Sequence, residues 1–322
     1  MLNPRSIIKK TILLILILLT VLIIGGLLTG CGFGFQGVEI EDPSIPLARD
    51  FSIPVADSPG IMVLRNDRAA IDYSNKQFGY VTVDTFDTDG ASLRALVTGP
   101  DGSLYIYDLT EKDIDILPLS KGNGVYTIGV YEHLSDADFA EVLVASIEVE
   151  LDNESVPFIR PNQYVSYDDK SIVTATAAEI TADVECFFKA VEAVLLYIEE
   201  NIYYDIDMAE SAEHGFLPDI DAVIKYGRGF CFDIAAATAA MLRSRGIPTQ
   251  LVVGYYNDVD LGYMYHAWVS VYSEIDGTVG GVINLTGGSW TIIDPTFVSS
   301  MGLRTAARLT GNGTDYSAMF IY

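Results

Sequence analysis

The chain has 322 residues, a formal net charge of −25 and a pI near 4.2, and half of its residues are hydrophobic. That length suggests two domains once any leader is set aside, with apolar residues enough for a sizeable core. The acidity argues against nucleic acid as a partner, because a polyanion would be repelled.

Residues 1–30 read as a leader. Arg5, Lys9 and Lys10 make a positive start, Ile12 to Ile24 is almost unbroken Ile, Leu and Val, and small residues follow. As an uncleaved helix the apolar run could nearly span a bilayer. Leu28-Thr29-Gly30-Cys31, however, resembles the lipobox of bacterial lipoproteins. The resemblance implies that Cys31 is lipidated and becomes the mature N-terminus. The body is then expected at the cell membrane, lipid-anchored and facing outside the cytoplasm, an orientation the positive-inside bias gives on either reading. A strongly acidic body would be held there by lipid, not by surface charge. Residues 31–60, with Gly32, Gly34, Gly37, Pro43, Pro46, Pro54 and Pro59 and no sustained period, read as a tether.

From 61 to 152 the pattern is β. YVTVDTF, SLRALVTG, SLYIYDL, DIDILPL, GVYTIGVYE and VLVASIEVEL alternate, with turn signals at Asp89-Gly90, Gly99-Pro100-Asp101-Gly102 and Gly122-Asn123-Gly124. Six or seven such strands predict a β-sandwich of the immunoglobulin type. Asp84, Asp87, Asp89 and Gly90 miss the EF-hand spacing and read as a hairpin turn, so no metal site is predicted. No cofactor is predicted either.

From 153 to 322 the composition predicts an α+β domain: a helix over 178–201, a polar loop over 205–221, a helix opened by Cys231, and strands near 249–256, 265–273, 280–285 and 289–294. The tail closes on SAMFIY as a last strand. Cys186 falls within the first helix, where a cysteine reads as a small buried hydrophobe, and it is expected to be unpaired, like Cys231. His133 and His214 read as surface residues.

The chemistry concentrates in YGRGFCFDIAAATAAMLRSRGIPTQLVVGYY. Gly227 and Gly229 bracket Arg228 and let the backbone turn into a helix whose core face is Ile234, Ala235, Thr238, Met241 and Leu242; Gly246 and Pro248 end it. A thiol in the first turn meets the positive end of the helix dipole, which favours the thiolate. Asp233 suits the same dipole in a structural role. His266 begins the strand HAWVSVY and can take the thiol proton, then return it to a leaving amine. Asp294, before Pro295, either opens a turn or orients the far nitrogen of His266. The loop 257–264 is a flap over the site or an ordinary hairpin loop. For an oxyanion, the Cys231 amide is the natural donor, with Tyr226 a candidate for the second.

Taken in order, Gly229, Cys231, Asp233, Ala235, Leu242-Arg243, Gly246-Ile247-Pro248 and Gly254-Tyr255, then His266-Ala267-Trp268-Val269, then Trp290, Asp294-Pro295-Thr296, resemble the transglutaminase-like superfamily of papain-type fold. The resemblance implies a Cys231, His266, Asp294 triad acting on amide or peptide bonds through a thioester, as a peptidase, an amidase or a protein-glutamine acyltransferase. It implies an exposed protein or a cell-wall peptide as substrate. The alternative is a non-catalytic surface module that uses the same cleft to bind a peptide or support an assembly.

Overall fold

A computed structural model of the chain describes residues 45–47, 51–86, 90–110, 114–135, 138–213, 215–259 and 262–322. The leader, Cys31 and His214 lie outside the described residues.

The first part is all β. β1 (Val63–Arg65), β2 (Ala69–Asp72), β3 (Tyr80–Thr85), β4 (Leu93–Thr98), β5 (Leu104–Asp108), β6 (Asp115–Pro118), β7 (Gly124–Ser135) and β8 (Asp138–Val149) form two antiparallel sheets of four strands, ordered β1-β2-β3-β6 and β5-β4-β7-β8. Period-two burial explains them: Leu93, Ala95 and Val97 of β4 are buried beside Tyr107 and Tyr105 of β5, while the residues between face outward. The six expected strands are all present. β1 and β2 are additional: β1 is exposed throughout and β2 buried throughout, so neither alternates.

The described part of the 31–60 stretch corrects the expectation of a free tether. Residues 45–47 run against 185–187: the Leu47 N–H donates to the Glu185 carbonyl at 2.9 Å and the Phe187 N–H to the Ile45 carbonyl at 3.0 Å. Leu47 is buried in the core. Further on, the Gly60 N–H (2.6 Å) and the Ser58 hydroxyl (3.1 Å) donate to the carboxylate of Asp72 in β2. These residues are pinned because their backbone groups find partners on the body.

The same pairing breaks the helix predicted over 178–201. α1 (Ile172–Ile180) ends early, and α2 (Phe187–Asn201) starts after Cys186, which is extended (φ −123°, ψ 138°). Glu185 and Phe187 give backbone groups to residues 45–47 and cannot also close helical turns. Cys186 therefore caps a helix rather than sitting inside one, although it still packs on the core.

Then follow β9 (Tyr203–Tyr204), α3 (Ile206–Ser211), α4 (Ile220–Tyr226), β10 (Arg228–Gly229), α5 (Cys231–Arg243), β11 (Thr249–Asp258), β12 (Gly262–Ser273), β13 (Gly277–Val279), β14 (Ile283–Leu285), β15 (Ser289–Ile293), α6 (Pro295–Met301), α7 (Leu303–Thr310) and β16 (Tyr316–Ile321). α3 and α4 occupy what read as a polar loop; each is opened by an aspartate, Asp205 and Asp219, whose side chain accepts a first-turn N–H. The main sheet is antiparallel, ordered β15-β12-β11-β16. The strand expected at 280–285 is shortened to β14, because Gly280 and Gly281, both left-handed, form the turn that pairs it with β13.

α5 is the centre of this part. Every residue from Asp233 to Arg243 is buried, rather than one face alone. Its alanines leave room for α1, α2, α4, α6, β11 and β12 to approach from all sides. At its end Arg243 is fully buried, and no Asp or Glu among the described residues forms an ion pair with it. Its guanidinium donates instead to the carbonyls of Thr249 (2.7 Å), Arg160 (2.8 Å) and Tyr322 (2.5 Å). Burial draws its pKa down to about 10, opposed by Tyr167. Replacing Arg243 with leucine strands three carbonyls, and we expect a loss of about 3–5 kcal/mol in urea unfolding. A loss below about 1 kcal/mol would show that these bonds are not what joins the segments.

Candidate active site

The approach to α5 is fixed by backbone. Gly227 closes α4 in the left-handed region (φ 65°), and a β-carbon there would meet the Asn201 carbonyl at 2.7 Å. β10 then pairs in parallel with β9, the Tyr203 and Asp205 N–H groups donating to the carbonyls of Gly227 and Gly229 at 2.9 Å. Arg228 turns away to an ion pair with Asp205 at 3.3 Å. Asp233 is buried and its carboxylate accepts the Phe230 N–H at 3.2 Å, the capping role expected of it. Burial raises its pKa, against the Phe230 bond and with help from Asp219, to about 6. This anchoring sets Cys231 at the first helical position, half-buried, with a free thiol; Cys186 is also unpaired.

His266 lies in β12, directly across from Gly254 of β11. Its ring stacks between Phe297 (5.8 Å) and Trp268 (6.3 Å), and Nε2 lies 2.7 Å from Asp294 Oδ2. The Cys231 side chain also acts on the ring, adding to the rise in its pKa. With Nε2 committed to Asp294, Nδ1 is the nitrogen left for the thiol. The three residues read from separate motifs are thus brought together.

Asp294 serves both readings offered for it. It is 1% exposed, and its Oδ1 accepts the N–H groups of Thr296 (3.0 Å) and Phe297 (3.1 Å), capping α6. Its Oδ2 meets His266 and accepts the Tyr316 hydroxyl at 2.8 Å. Tyr316 was not legible in the sequence. It sits at the start of β16, opposite Tyr256, and no local spacing joins it to the other three.

The surroundings of the ring favour its protonated form. Burial opposes a charge on His266. The Asp294 carboxylate, by its charge and its hydrogen bond, overcomes that with a contribution from Cys231, and the pKa is pushed up to about 10. The ring therefore holds its proton at neutral pH.

Tyr226, the candidate second oxyanion donor, is 60% exposed at the end of α4, with the Lys225 ammonium over its ring. Burial raises the phenol pKa of Tyr204 and of Tyr265, with a contribution from Cys231 in each case. Among the described residues no group of three or more His, Cys, Asp or Glu could hold a metal ion, and no helix is long and apolar enough to cross a membrane.

Comparison with known proteins fits this geometry. Residues 174–295, which hold all three groups, match the profile of the Transglutaminase-like superfamily. Residues 174–295 are a transglutaminase-like domain. Solved structures similar to the chain include a candidate cysteine protease from Cytophaga hutchinsonii, with 16% identity, 81% of this chain and 78% of that one covered, and a TM-score of 0.38. The periplasmic domain of TgpA from Pseudomonas aeruginosa gives 17% identity, 76% and 100% coverage and 0.32. The red sea bream transglutaminase gives 13%, 73%, 49% and 0.31, so this chain spans about half of that protein. With TM-scores this low, none of the three bears on what the transglutaminase-like domain acts on. No curated protein matches the chain.

The raised pKa of His266 gives the transglutaminase-like domain a pH-dependent stability. A group whose pKa rises on folding contributes fully below its unfolded value, near 6.5, and the contribution fades as pH climbs through about 10. The difference in unfolding free energy between the native chain and His266→Gln should be flat below about pH 6.5 and shrink steadily towards pH 10. Denaturation series across that range measure it; a difference that grows with pH would reverse the assignment.

Proposed function

We propose that the chain is a cysteine-dependent enzyme acting on amide or peptide bonds, with Cys231 as nucleophile, His266 as proton carrier and Asp294 as the group that orients and charges His266. The observation that carries the reading is the 2.7 Å contact between His266 Nε2 and Asp294, on a ring whose pKa the Cys231 side chain also raises.

The Cys231 sulfur attacks the carbonyl carbon as its thiolate. The Cys231 N–H, in the first helical turn and without a partner inside the helix, faces the oxygen that becomes negative. The His266 imidazolium gives its proton to the amine nitrogen as the C–N bond breaks, leaving a thioester. Water or an amine then adds to the thioester and passes a proton to the ring, and the sulfur leaves. Asp294 stays ionised throughout and holds the tautomer. Hydrolysis is favoured over crosslinking, since water is present at about 55 M and needs no site, whereas an amine must be positioned.

The substrate class that suits this reading is an exposed protein or a cell-wall peptide. The rest follows from the leader: a lipid on Cys31 would hold the body on the membrane, outside the cytoplasm. The strand orders support reading the first part as an immunoglobulin-type sandwich, since the chain crosses between sheets from β3 to β4 and from β6 to β7.

Two experiments test these assignments. Iodoacetamide near neutral pH should label Cys231 selectively, and His266→Ala should suppress the labelling. Peptide libraries, offered with and without a labelled primary amine, should give cleaved or deamidated products that fall at least about a thousandfold in Cys231→Ala. Amine incorporation above hydrolysis would make the chain a crosslinker, and no Cys231-dependent product would favour the binding module.

The anchor is tested separately. Cys31→Ser should accumulate as unprocessed precursor without acyl groups. Normal processing and acylation of that variant would remove Cys31 from the account.

A further inference from the structure

Tyr316 reaches the site from outside the matched segment. Residues 174–295 end at Pro295, and Tyr316 comes in on β16. Its backbone is fixed on both sides: its N–H donates to the Gly313 carbonyl at 3.1 Å, and the neighbouring Asp315 carbonyl accepts the Asn257 N–H at 2.8 Å. Its ring lies against those of Tyr256 and Trp268, with centroids 5.0 Å away in each case. So held, its hydroxyl meets Asp294 Oδ2 at 2.8 Å, the same oxygen that lies 2.7 Å from His266 Nε2.

The two oxygens of Asp294 are used differently. Oδ1 takes the backbone N–H groups of Thr296 and Phe297, which hold the carboxylate in place whatever happens at Oδ2. Oδ2 takes two side chains, which fill the two lone pairs of that oxygen. Donors that share one oxygen weaken each other, because each draws on the same negative charge. Among the described residues no lysine or arginine forms an ion pair with Asp294, so Tyr316 is the side chain that shares this charge with His266.

The groups around the pair leave that sharing intact. Burial, and next the charge of Asp294, raises the phenol pKa of Tyr316, so its hydroxyl stays a donor. Tyr256 packs against both rings, with centroids 6.2 Å from His266 and 5.0 Å from Tyr316. Burial, with Asp258, Asp315 and Asp294, raises its pKa too, and it stays neutral. Cys231 adds to the rise at His266, while Trp268 and Phe297, which flank the ring, carry no charge. An imidazolium gripped too firmly by its carboxylate is a poor acid. A neutral second donor on Oδ2 loosens the grip without moving the carboxylate.

We propose that Tyr316 is a positioning residue that acts through Asp294: its hydroxyl shares the oxygen that His266 uses and so keeps the ring proton transferable to the leaving amine. The leaving-amine step rests on the thioester reading; the effect of the hydroxyl on the ring does not.

The test uses the full chain with isotope-labelled histidine, in which His133, His214 and His266 are the only rings that give signals. Magnetic resonance spectra that link the carbon-bound ring protons to both nitrogens follow each ring through a pH series. In the native chain the His266 midpoint should fall at about 10. Tyr316→Phe keeps the ring and removes only the hydroxyl. It should raise the His266 midpoint by about one pH unit and move the Nε2 proton to lower field near neutral pH, with His133 unmoved. Loosened packing alone would admit water to the pair and lower the midpoint instead. In the native chain the Tyr316 hydroxyl proton should exchange slowly and give a cross peak to the Nε2 proton of His266, a result that needs no variant to fold. On a peptide cleaved in a Cys231-dependent manner, kcat of Tyr316→Phe should fall about tenfold with KM little changed. An unmoved or lowered midpoint in the folded variant, a native chain without the cross peak, or an unchanged kcat would overturn the proposal. Alkylation of Cys231 in the native chain is followed in parallel. An inert thiol with a raised midpoint in the variant sinks the thioester reading and leaves the effect of Tyr316 on the ring standing; a reactive thiol with an unmoved midpoint sinks the role of Tyr316 alone.

Discussion

The carboxylate of Asp294 can take about four hydrogen bonds, and the fold supplies one from each of four residues: two backbone N–H groups of α6, the ring of His266 and the hydroxyl of Tyr316. A carboxylate this deeply buried would be costly without them. Meeting that demand ties the end of β15, the start of α6, β12 and β16 to one point. It also sets the chemistry, because the contact with Asp294 raises the pKa of His266 against the cost of burial. The structural and the electrostatic roles of the residue are the same interaction seen from two sides.

Much of this was legible from sequence, for identifiable reasons. Strands such as β4 and β5 show because they alternate. Cys231 and Asp294 show because each sits at an element boundary marked by glycine or proline, and His266 because it stands in the histidine-tryptophan stretch of a strand, although β12 begins four residues before it. What stayed hidden depended on distant partners. The break at Cys186 comes from pairing with residues 45–47, far away in the chain. Tyr316 joins Asp294 only because β16 lands beside β11. The all-round burial of α5 looked like one apolar face, since alanine fits both a core and a surface. The ring's charge could not be read either, because it depends on how completely Asp294 is enclosed.

The strand that carries Tyr316 is held from two directions. On one edge it pairs with β11; on the other side the first part of the chain meets it, where Tyr105 packs edge-on against Phe320 and Tyr322 at 5.6 Å and its hydroxyl accepts the Ile321 N–H at 3.2 Å. Gly254 makes the close approach possible, for a β-carbon there would strike the Ser317 carbonyl at 2.1 Å. The β-rich part thus supports the site at one remove, by bracing the strand whose tyrosine completes the shell of Asp294.

The place of β16 in the chain gives this arrangement a direction in time. A ribosome makes it after the other described elements of this part, and domains form as their residues emerge. A growing chain that has reached Thr310 already contains the thiol, the imidazole and the carboxylate, but lacks both Tyr316 and the Tyr322 carbonyl that Arg243 requires. The edge of β11 is then open, Asp294 is one donor short, and α5 ends on a cation short of a partner. Docking of β16 closes all three gaps at once, so the surroundings of Cys231 are finished by a strand distant in sequence and not by its own helix.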